Sequence, residues 1–214
     1  MPVRLVMLGP PGAGKGTQAE RFGRLRNVPK ISTGDILREA VQAGTAIGKG
    51  AKAVMDAGRL VGDDVVIEIV RDRLGRRDAE NGFVLDGFPR SLFQARALDR
   101  LVDDKAALVI VDIEVMEETL IARLHTRRIC RNCGWNATPG VAACARCGGA
   151  LIARSDDGID VVRERLRVYA RDTRPIIEFY EQRPTFRSVD GDQTQDAVAD
   201  DIAAAVASVV GSLA

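Results

Sequence analysis

The sequence has few aromatic residues, a single histidine and almost no net charge. Phe, Trp and Tyr make up 4% of its 214 residues, and the formal net charge is +1. Proteins that grip nucleic acid or an anionic membrane generally present a strong positive field, and those that bind single strands add aromatic stacking platforms. We therefore expect neither nucleic acid nor a membrane as a partner. Any positive charge that a ligand requires has to be local.

Long apolar runs are also missing. No window approaches the roughly 20 apolar residues of a membrane span, and the apolar run near the start is only about six residues long, which is too short for a secretion signal. All four cysteines fall between Cys130 and Cys147. Such clustering in a reducing compartment favours a metal site over disulfides. We expect a cytoplasmic protein and, because no coiled-coil or apolar interface pattern is present, a monomer.

Short apolar segments alternate with helical patterns along most of the chain. Val3–Leu8 and Ala107–Ile113 are predicted to be buried strands, and the alternation predicts a parallel sheet with helices on both faces. The pattern from Thr33 to Leu74 is helical but interrupted by glycines, which predicts several short helices. Asp160 to Tyr180 is predicted to be helical with a local break at Pro175. The segment 129–153 has no clear periodicity and is predicted to be an inserted, metal-held lobe.

A phosphate-binding loop follows the first predicted strand and opens a helix. Glycines allow backbone N–H groups to curl around phosphate oxygens, the helix N-terminus adds a positive end, and Lys15 is placed to reach the β- and γ-phosphates. The order differs from the general signature, because Gly16 follows the lysine and the hydroxyl comes one residue later at Thr17. The alternative is an ordinary glycine-rich turn. The predicted ATP-binding residues of this loop are Gly12, Ala13, Gly14, Lys15, Gly16 and Thr17.

Three segments together resemble the adenylate kinase family. They are Gly-Pro-Pro-Gly-Ala-Gly-Lys-Gly-Thr-Gln from residue 9, Ile-Ser-Thr-Gly-Asp-Ile-Leu-Arg from residue 31, and Gly-Phe-Val-Leu-Asp-Gly-Phe-Pro-Arg from residue 82, with Gln94 just beyond. The resemblance covers nearly the whole chain. It implies an α/β fold of the P-loop NTPase type and Mg²⁺-dependent, reversible phosphoryl transfer in which ATP and AMP yield two ADP.

The same resemblance implies two insertions in the core domain. The core is expected to comprise residues 1–31, 62–125 and 158–214. A helical nucleoside-monophosphate-binding insertion is expected at 32–61, here called the AMP segment. A zinc-ribbon-like insertion is expected at 126–157, here called the lid segment.

The acceptor side of the site is expected to bind AMP. Arg38 and Arg90 can each make forked, charge-assisted contacts to the phosphate of a monophosphate. Asp86, at the carboxyl end of a buried strand, is expected with Asp35 to position Mg²⁺, in part through water. The resemblance implies that Thr33 and Gln94 select adenine. The full set of implied AMP-binding residues is Thr33, Arg38, Arg59, Leu60, Val61, Gly87, Phe88, Pro89, Arg90, Gln94, Arg154 and Arg165.

The donor side and the transferring phosphate are expected to meet further arginines. Arg123 and Arg127 lie four residues apart on a predicted helix and so share a face. The resemblance assigns ATP contacts to Arg123, Arg127 and Gln193, and it assigns catalytic roles to Lys15, Arg90, Arg127, Arg154 and Arg165. Each arginine taken alone would be an ordinary surface charge. Because the acceptor is already an anionic phosphate oxygen, no general base is required, and His125 is expected to have a structural or surface role.

The cysteines form two matching knuckles, Cys-x-x-Cys-Gly. Four thiolates aimed at one point make a closed tetrahedral site, which predicts structural Zn²⁺ held by Cys130, Cys133, Cys144 and Cys147. A redox pair and another soft metal are the alternatives. The loop between the knuckles, residues 134–143, is shorter than is common in the family's zinc lids. Trp135 and Asn136 stand about where an aromatic ATP contact is usual.

Three other functions are compatible with parts of this pattern. A kinase for CMP or UMP would use the same chemistry on another acceptor. A zinc-ribbon, nucleic-acid-binding ATPase would combine the phosphate loop with the knuckles, but it leaves the segments around Arg38 and Arg90 unexplained. A P-loop kinase for a small metabolite is the third. The expected partners are therefore the nucleotides ATP, ADP and AMP.

Overall fold

A parallel sheet forms the centre of the computed structural model, which describes residues 3–102, 106–137 and 140–212. The strands are, in chain order, β1 (Val3–Leu8), β2 (Lys30–Ser32), β3 (Gly82–Asp86), β4 (Leu108–Glu114), β5 (Ile129–Cys130), β6 (Leu151–Ile152) and β7 (Phe186–Asp190). Within the described residues, one five-stranded parallel sheet has the order β2-β3-β1-β4-β7, and β5 pairs with β6 in a small antiparallel sheet. The predicted parallel sheet is thus confirmed.

Helices cover both faces of the large sheet. They are α1 (Lys15–Arg26), α2 (Thr33–Gln42), α3 (Ala46–Asp56), α4 (Asp63–Leu74), α5 (Leu92–Leu101), α6 (Glu117–Thr126), α7 (Ile159–Val168), α8 (Pro175–Glu181) and α9 (Gln195–Ser212). Short 3₁₀ turns lie at Arg77–Ala79 and Ser155–Asp157. No helix of the described residues combines the length and the hydropathy that a bilayer crossing requires.

The alternation along β1 divides the core into two layers. Leu5 and Met7 point into one cluster, which includes side chains of α1 and α9, whereas Val6 and Leu8 point into a second cluster with side chains of α4, α5 and α8. All four side chains are buried. A central parallel strand covered on both faces is nearly continuously apolar, which explains why every residue of β1 except Arg4 is apolar.

Gly44, Gly58 and Gly62 divide the long helical pattern after β2, as predicted, whereas Gly48 was also expected to interrupt it and instead lies within α3. Three helices, α2, α3 and α4, occupy this region, and Gly44 and Gly58 between them take φ angles of +65° and +72°. A side chain is rarely tolerated in that left-handed region, so glycine at these positions ends one helix and redirects the chain into the next segment.

Pro175 breaks the helix before α8 in a specific way. Because proline has no N–H, the regular pattern of hydrogen bonds fails at this point. The chain instead forms a π-turn over Tyr169–Thr173, in which the Arg174 N–H donates to the carbonyl oxygen of Tyr169 at 2.8 Å. The predicted single helix with a break is therefore α7, a π-turn and α8.

Candidate active site

The phosphate loop connects β1 to α1. Gly14 caps α1 with a φ of +95°, a conformation that a residue with Cβ would rarely adopt. Lys15 follows, and its Nζ donates to the carbonyl oxygens of Gly9 at 2.6 Å and Pro10 at 2.8 Å. The side-chain nitrogen of Lys15 is therefore bound to the first residues of the loop. It lies near the N-terminal end of α1, where anions are favoured.

Lys15 is held in an unusual electrostatic environment. Burial lowers the pKa of its amine to about 7, an effect that Asp86 opposes and that the guanidinium groups of Arg90 and Arg165 reinforce. These groups come from β3, the loop after it and α7. A dianionic phosphate bound here would stabilise the charged amine, so the site is built to accept negative charge.

The loop after β3 brings Arg90 to the same place. Gly87 has a φ of +77°, and a Cβ at this residue would lie 2.7 Å from a guanidinium nitrogen of Arg90 and 3.2 Å from Oγ1 of Thr33. The carbonyl oxygen of Gly87 accepts hydrogen bonds from Thr33 Oγ1 at 2.8 Å and Arg90 Nε at 2.9 Å. Only glycine fits this close approach, which positions Thr33 and Arg90 on the same carbonyl group.

A lysine that the sequence analysis did not single out lies between the two carboxylates predicted to position Mg²⁺. Lys30 Nζ is 3.0 Å from Asp35 Oδ2 and 3.9 Å from Asp86 Oδ2. Arg38 also binds Asp35, at 2.5 Å. Burial would raise the pKa of Asp35, but the attraction of Lys30 and Arg38 outweighs it and holds that pKa well below its usual range. Lys30 directly precedes the segment that starts at Ile31. This adjacency is the sequence signal by which Lys30 could have been identified.

Two adjacent aspartates organise the arginines of the lid segment and α7. Arg127 makes a forked contact to Asp157, with distances of 2.7 and 2.5 Å, and Arg165 donates to the same carboxylate at 2.9 Å. Arg154 makes a forked contact to Asp156 at 2.8 and 2.5 Å. Burial lowers the pKa of Arg165 to about 10. The sequence analysis gave neither aspartate a role.

Most of the predicted acceptor-side residues line one cavity. The predicted residues that line it are Lys15, Thr33, Arg38, Arg59, Leu60, Val61, Gly87, Pro89, Arg90, Gln94, Arg154 and Arg165. Phe88 is instead completely buried in the core, so only its backbone is available to a ligand. Arg123 donates to the carbonyl oxygen of Gly191, and Gln193 donates to Asp190 and Asp201. These two predicted ATP contacts therefore meet at the turn after β7.

The four cysteines converge as predicted. Their Sγ atoms all lie within 4.8 Å of one another and form a group that could hold a metal ion. The Cys130–Cys147 and Cys133–Cys144 pairs are each separated by 3.5 Å, far longer than a disulfide bond. Asn136 forms an isolated antiparallel bridge with Ile129, and the carbonyl oxygen of Trp135 accepts from the N–H of Cys130 at 2.8 Å. Residues 138 and 139 of the short loop lie outside the described residues.

The lid segment contacts α1 and α3. Arg146, between the cysteines of the second knuckle, forms an ion pair with Glu20 on α1. Ser155 Oγ donates to Asp56 Oδ1 of α3 at 3.3 Å. Neither contact has a local sequence signal, because the partners are far apart along the chain. Arg154 and Asp156 of the same segment line the cavity.

Asp112 is a buried acid close to Lys15, and its replacement by asparagine is expected to stabilise the fold. The residue is 3% exposed, and Oδ1 accepts no hydrogen bond within the described residues. Burial, with a smaller contribution from Glu114, raises its pKa to about 6. Since the unfolded carboxyl titrates near 4, this group favours folding most below pH 4, and that contribution is lost as the pH rises through 6.

Urea unfolding at several pH values measures this effect. At pH 7.5, Asp112→Asn is expected to raise the free energy of unfolding by about 1–3 kcal/mol, and the difference should shrink as the pH falls towards 4. Asp200→Asn, at an exposed position on α9, is the matched control and is expected to change little at either pH. A difference that stays constant with pH would contradict the assignment.

Sequence comparisons agree with this geometry. A sequence model of the family described as adenylate kinase matches residues 7–185. An adenylate kinase of Alkaliphilus oremlandii is 48% identical over 89% of this chain and 92% of its own length. An adenylate kinase of Methanocella arvoryzae is 45% identical over 95% and 98%, and one of Archaeoglobus fulgidus is 48% identical over 88% and 91%. With its phosphate loop, converging arginines and four-cysteine cluster, this chain belongs to the adenylate kinase family.

Proposed function

We propose that this chain catalyses the reversible transfer of a phosphoryl group from Mg-ATP to AMP, giving two molecules of ADP. The observation that carries the proposal is the cavity in which Lys15 of the phosphate loop meets Arg38, Arg90, Arg154 and Arg165. These cations come from separate segments of the chain, and such a set suits two phosphate groups held end to end. Family membership supports the same reaction and argues against the nucleic-acid-binding ATPase.

The reaction needs positioning and positive charge rather than proton transfer. The attacking oxygen of a nucleoside monophosphate is already anionic, so the main barrier is the approach of two anions and the spread of charge over the transferring group. Fixed cations in a site that excludes water stabilise that charge. The only histidine, His125, is exposed on α6 and is not needed for the chemistry.

On the donor side, the loop from Gly12 to Thr17 is proposed to bind the ATP phosphates with its backbone N–H groups, while Lys15 pairs with the β- and γ-phosphates. Arg123 and Gln193, at the turn after β7, are proposed to contact the rest of ATP. Arg127 supports the transferring phosphate next to Arg154 and Arg165, which the pair Asp156 and Asp157 holds in place.

On the acceptor side, Arg38 and Arg90 are proposed to bind the AMP phosphate. Thr33 and Gln94 select the base. The wall of the base pocket is proposed to be Arg59, Leu60, Val61, Gly87, the backbone of Phe88, and Pro89. Arg154 and Arg165 are proposed to contact both substrates, and their position in the same cavity as Arg90 and Lys15 supports this.

Mg²⁺ is proposed to bind with ATP near Asp86 and Asp35. Their oxygens are the donors that Mg²⁺ prefers, and Asp86 Oδ2 lies 3.2 Å from the position of a Cβ on Gly16, against the phosphate loop. When bound, the ion neutralises phosphate charge and orients the transferring group. Lys30 already pairs with both carboxylates. We therefore propose that the carboxylates position the ion through water, with nucleotide oxygens as its main ligands.

Zinc is proposed for the four-cysteine cluster. Zinc–thiolate bonds of about 2.3 Å in a tetrahedron place neighbouring sulfur atoms about 3.8 Å apart. The observed sulfur separations of 3.5, 3.5 and 3.6 Å are close to that value. The donor set therefore fits Zn²⁺, and its four protein ligands leave no open position for catalysis.

The division into a core, the AMP segment (32–61) and the lid segment (126–157) also remains a proposal, as do the monomeric state and the cytoplasmic location. The contacts of Ser155 with Asp56 and of Arg146 with Glu20 support a lid that closes over the phosphates. Exclusion of water by such a lid would protect ATP from hydrolysis.

Phosphoryl transfer from Mg-ATP to a panel of acceptors tests the proposal. With AMP, CMP, UMP, GMP or water as the acceptor, we expect ADP formation to depend strongly on AMP. Preference for CMP or UMP would keep the chemistry and change the specificity. ATP loss without any dependence on the acceptor would identify an ATPase and overturn the proposed function.

A further inference from the structure

The side-chain amide of Gln94 is held by a closed set of hydrogen bonds at the edge of the cavity. Its Oε1 accepts from the backbone N–H of Arg90 at 2.7 Å, and its Nε2 donates to Asp63 Oδ1 at 2.7 Å. The residue is 1% exposed. Since a backbone N–H only donates and a carboxylate only accepts, these two partners fix which end of the amide is oxygen and which is nitrogen.

Asp63 is itself held in place. It is the first residue of α4, and its Oδ2 accepts from Ser91 Oγ at 2.8 Å. Ser91 caps α5, where its Oγ also accepts the backbone N–H of Gln94 at 3.1 Å. Both oxygens of the Asp63 carboxylate are thus engaged, and the carboxylate is not free to rotate away from the amide.

A reversed Gln94 amide would be unfavourable at both ends. Its NH₂ group would face the N–H of Arg90, and its oxygen would face the carboxylate of Asp63. In the observed orientation, one hydrogen of Nε2 and one lone pair of Oε1 are unused in the hydrogen bonds of the described residues. An adenine edge offers a donor amino group beside an acceptor nitrogen, which complements this pair, whereas hypoxanthine offers the reverse.

We propose that Asp63 is a positioning residue that sets the base selectivity of the acceptor site, because it fixes the Gln94 amide in the orientation that suits a 6-amino purine. This inference rests on the proposed function, since it requires a base beside Gln94. Asp63 acts through Gln94 and touches no reacting atom. The fixed orientation explains how the Gln94 amide, whose two ends have nearly the same shape, discriminates between adenine and hypoxanthine, which are nearly equal in size.

The test compares kcat/KM for AMP with kcat/KM for IMP, whose base has the reversed pattern, under saturating Mg-ATP. In Asp63→Asn the new amide can either donate or accept, so it removes the penalty at one end of the reversed Gln94 amide, and only the N–H of Arg90 still opposes the reversal. We expect the AMP-to-IMP ratio to fall about tenfold, as is typical for one exchanged hydrogen bond. Asp64→Asn removes the same charge from the exposed neighbouring position and is the matched control. Because Asp64 lies outside the hydrogen-bond network, we expect the AMP-to-IMP ratio to stay within about twofold of the native value.

Each outcome decides the inference. Equal losses of kcat/KM for AMP and IMP in Asp63→Asn would leave the ratio unchanged. This would mean that Asp63 only ties α4 to α5, and the proposal would be overturned. No loss for either substrate would overturn it as well. If thermal unfolding shows that Asp63→Asn is not folded, Ser91→Ala, which frees the carboxylate to rotate, should lower the ratio about threefold, and no change there is the contrary result. Native enzyme without AMP-dependent activity would instead contradict the proposed function.

Discussion

Lys15→Met is expected to reduce kcat for ADP formation by about 10³-fold or more, because it removes the cation that faces the transferring phosphate. The Lys15 amine is buried within the phosphate loop and spans it through the carbonyl oxygens of Gly9 and Pro10. Methionine has nearly the same length and no charge. The variant therefore separates the electrostatic contribution from the packing of the side chain.

The stability of the same variant is expected to change little. Removing the buried amine relieves the cost that lowers its pKa to about 7, but it leaves two carbonyl oxygens without this donor. The two effects oppose each other, so the net change should lie within about 2 kcal/mol. Between pH 7 and 10.5 the unfolded amine holds its proton while the folded amine loses it, so the cost of Lys15 is greatest below pH 7 and is relieved as the pH rises.

Steady-state kinetics and urea unfolding measure these two quantities. Lys49→Met, at an exposed position on α3, is the matched control and is expected to retain near-native kcat. A Lys15→Met enzyme that keeps more than about a tenth of native kcat would contradict the proposed role. In that case the amine would stabilise the transition state by less than one good charge-assisted hydrogen bond does.

Cys144→Ser is expected to abolish tight metal binding and to loosen the lid segment. Among the described residues of that segment, the buried ones are Cys130, Cys144, Gly149 and Asp157, so no large apolar side chain forms a core there. Two of the four are proposed metal ligands. A lobe of this kind depends on its metal for folding, as small zinc modules generally do.

The consequence for activity follows from the position of the lid segment. Arg127 and Arg154 lie in it, and Asp157, at its end, also holds Arg165 of α7. If the metal-held lobe becomes disordered, these cations lose their fixed positions relative to the phosphate loop. We expect kcat to fall at least about tenfold and limited proteolysis of the lid segment to accelerate by a similar factor, while the core remains folded.

Zinc content, proteolysis rate and kcat are the three readouts. Ala143→Ser introduces the same hydroxyl at the exposed adjacent position and is expected to behave like the native protein. Loss of zinc with unchanged proteolysis and unchanged kcat would show that the metal has no structural role. Re-addition of zinc after chelator treatment of the native protein should restore all three readouts.

Local signals in the sequence were sufficient for most of the fold. The apolar run Val3–Leu8 is a central strand because it is covered on both faces, and the glycines after Ser32 divide the helices where the left-handed backbone requires them. Pro175 predicted a break but not its form, because the π-turn before it depends on how α7 and α8 pack against neighbouring elements.

Several contacts of the candidate site had no signal within reach of sequence reasoning. Asp63 and Gln94 are 31 positions apart, Lys30 pairs with Asp86 across the sheet edge, and Arg146 meets Glu20 from a different segment. Asp112 had one signal, an acid within an apolar strand, but only the tertiary structure reveals that its Oδ1 has no hydrogen-bond partner among the described residues. These are properties of long-range packing rather than of local pattern.

The sequence by itself determined the chemistry of this protein, because the phosphate loop, the arginine-bearing motifs and the cysteine knuckles are each local arrangements whose residue types dictate what they can bind. The tertiary structure alone decided how these parts act together. It brought Lys15, Arg90 and Arg165 within electrostatic range, paired the lid arginines with Asp156 and Asp157, and locked the amide of Gln94. Charge and hydrogen-bond direction act over a few ångströms in space, and distance along the chain does not specify them.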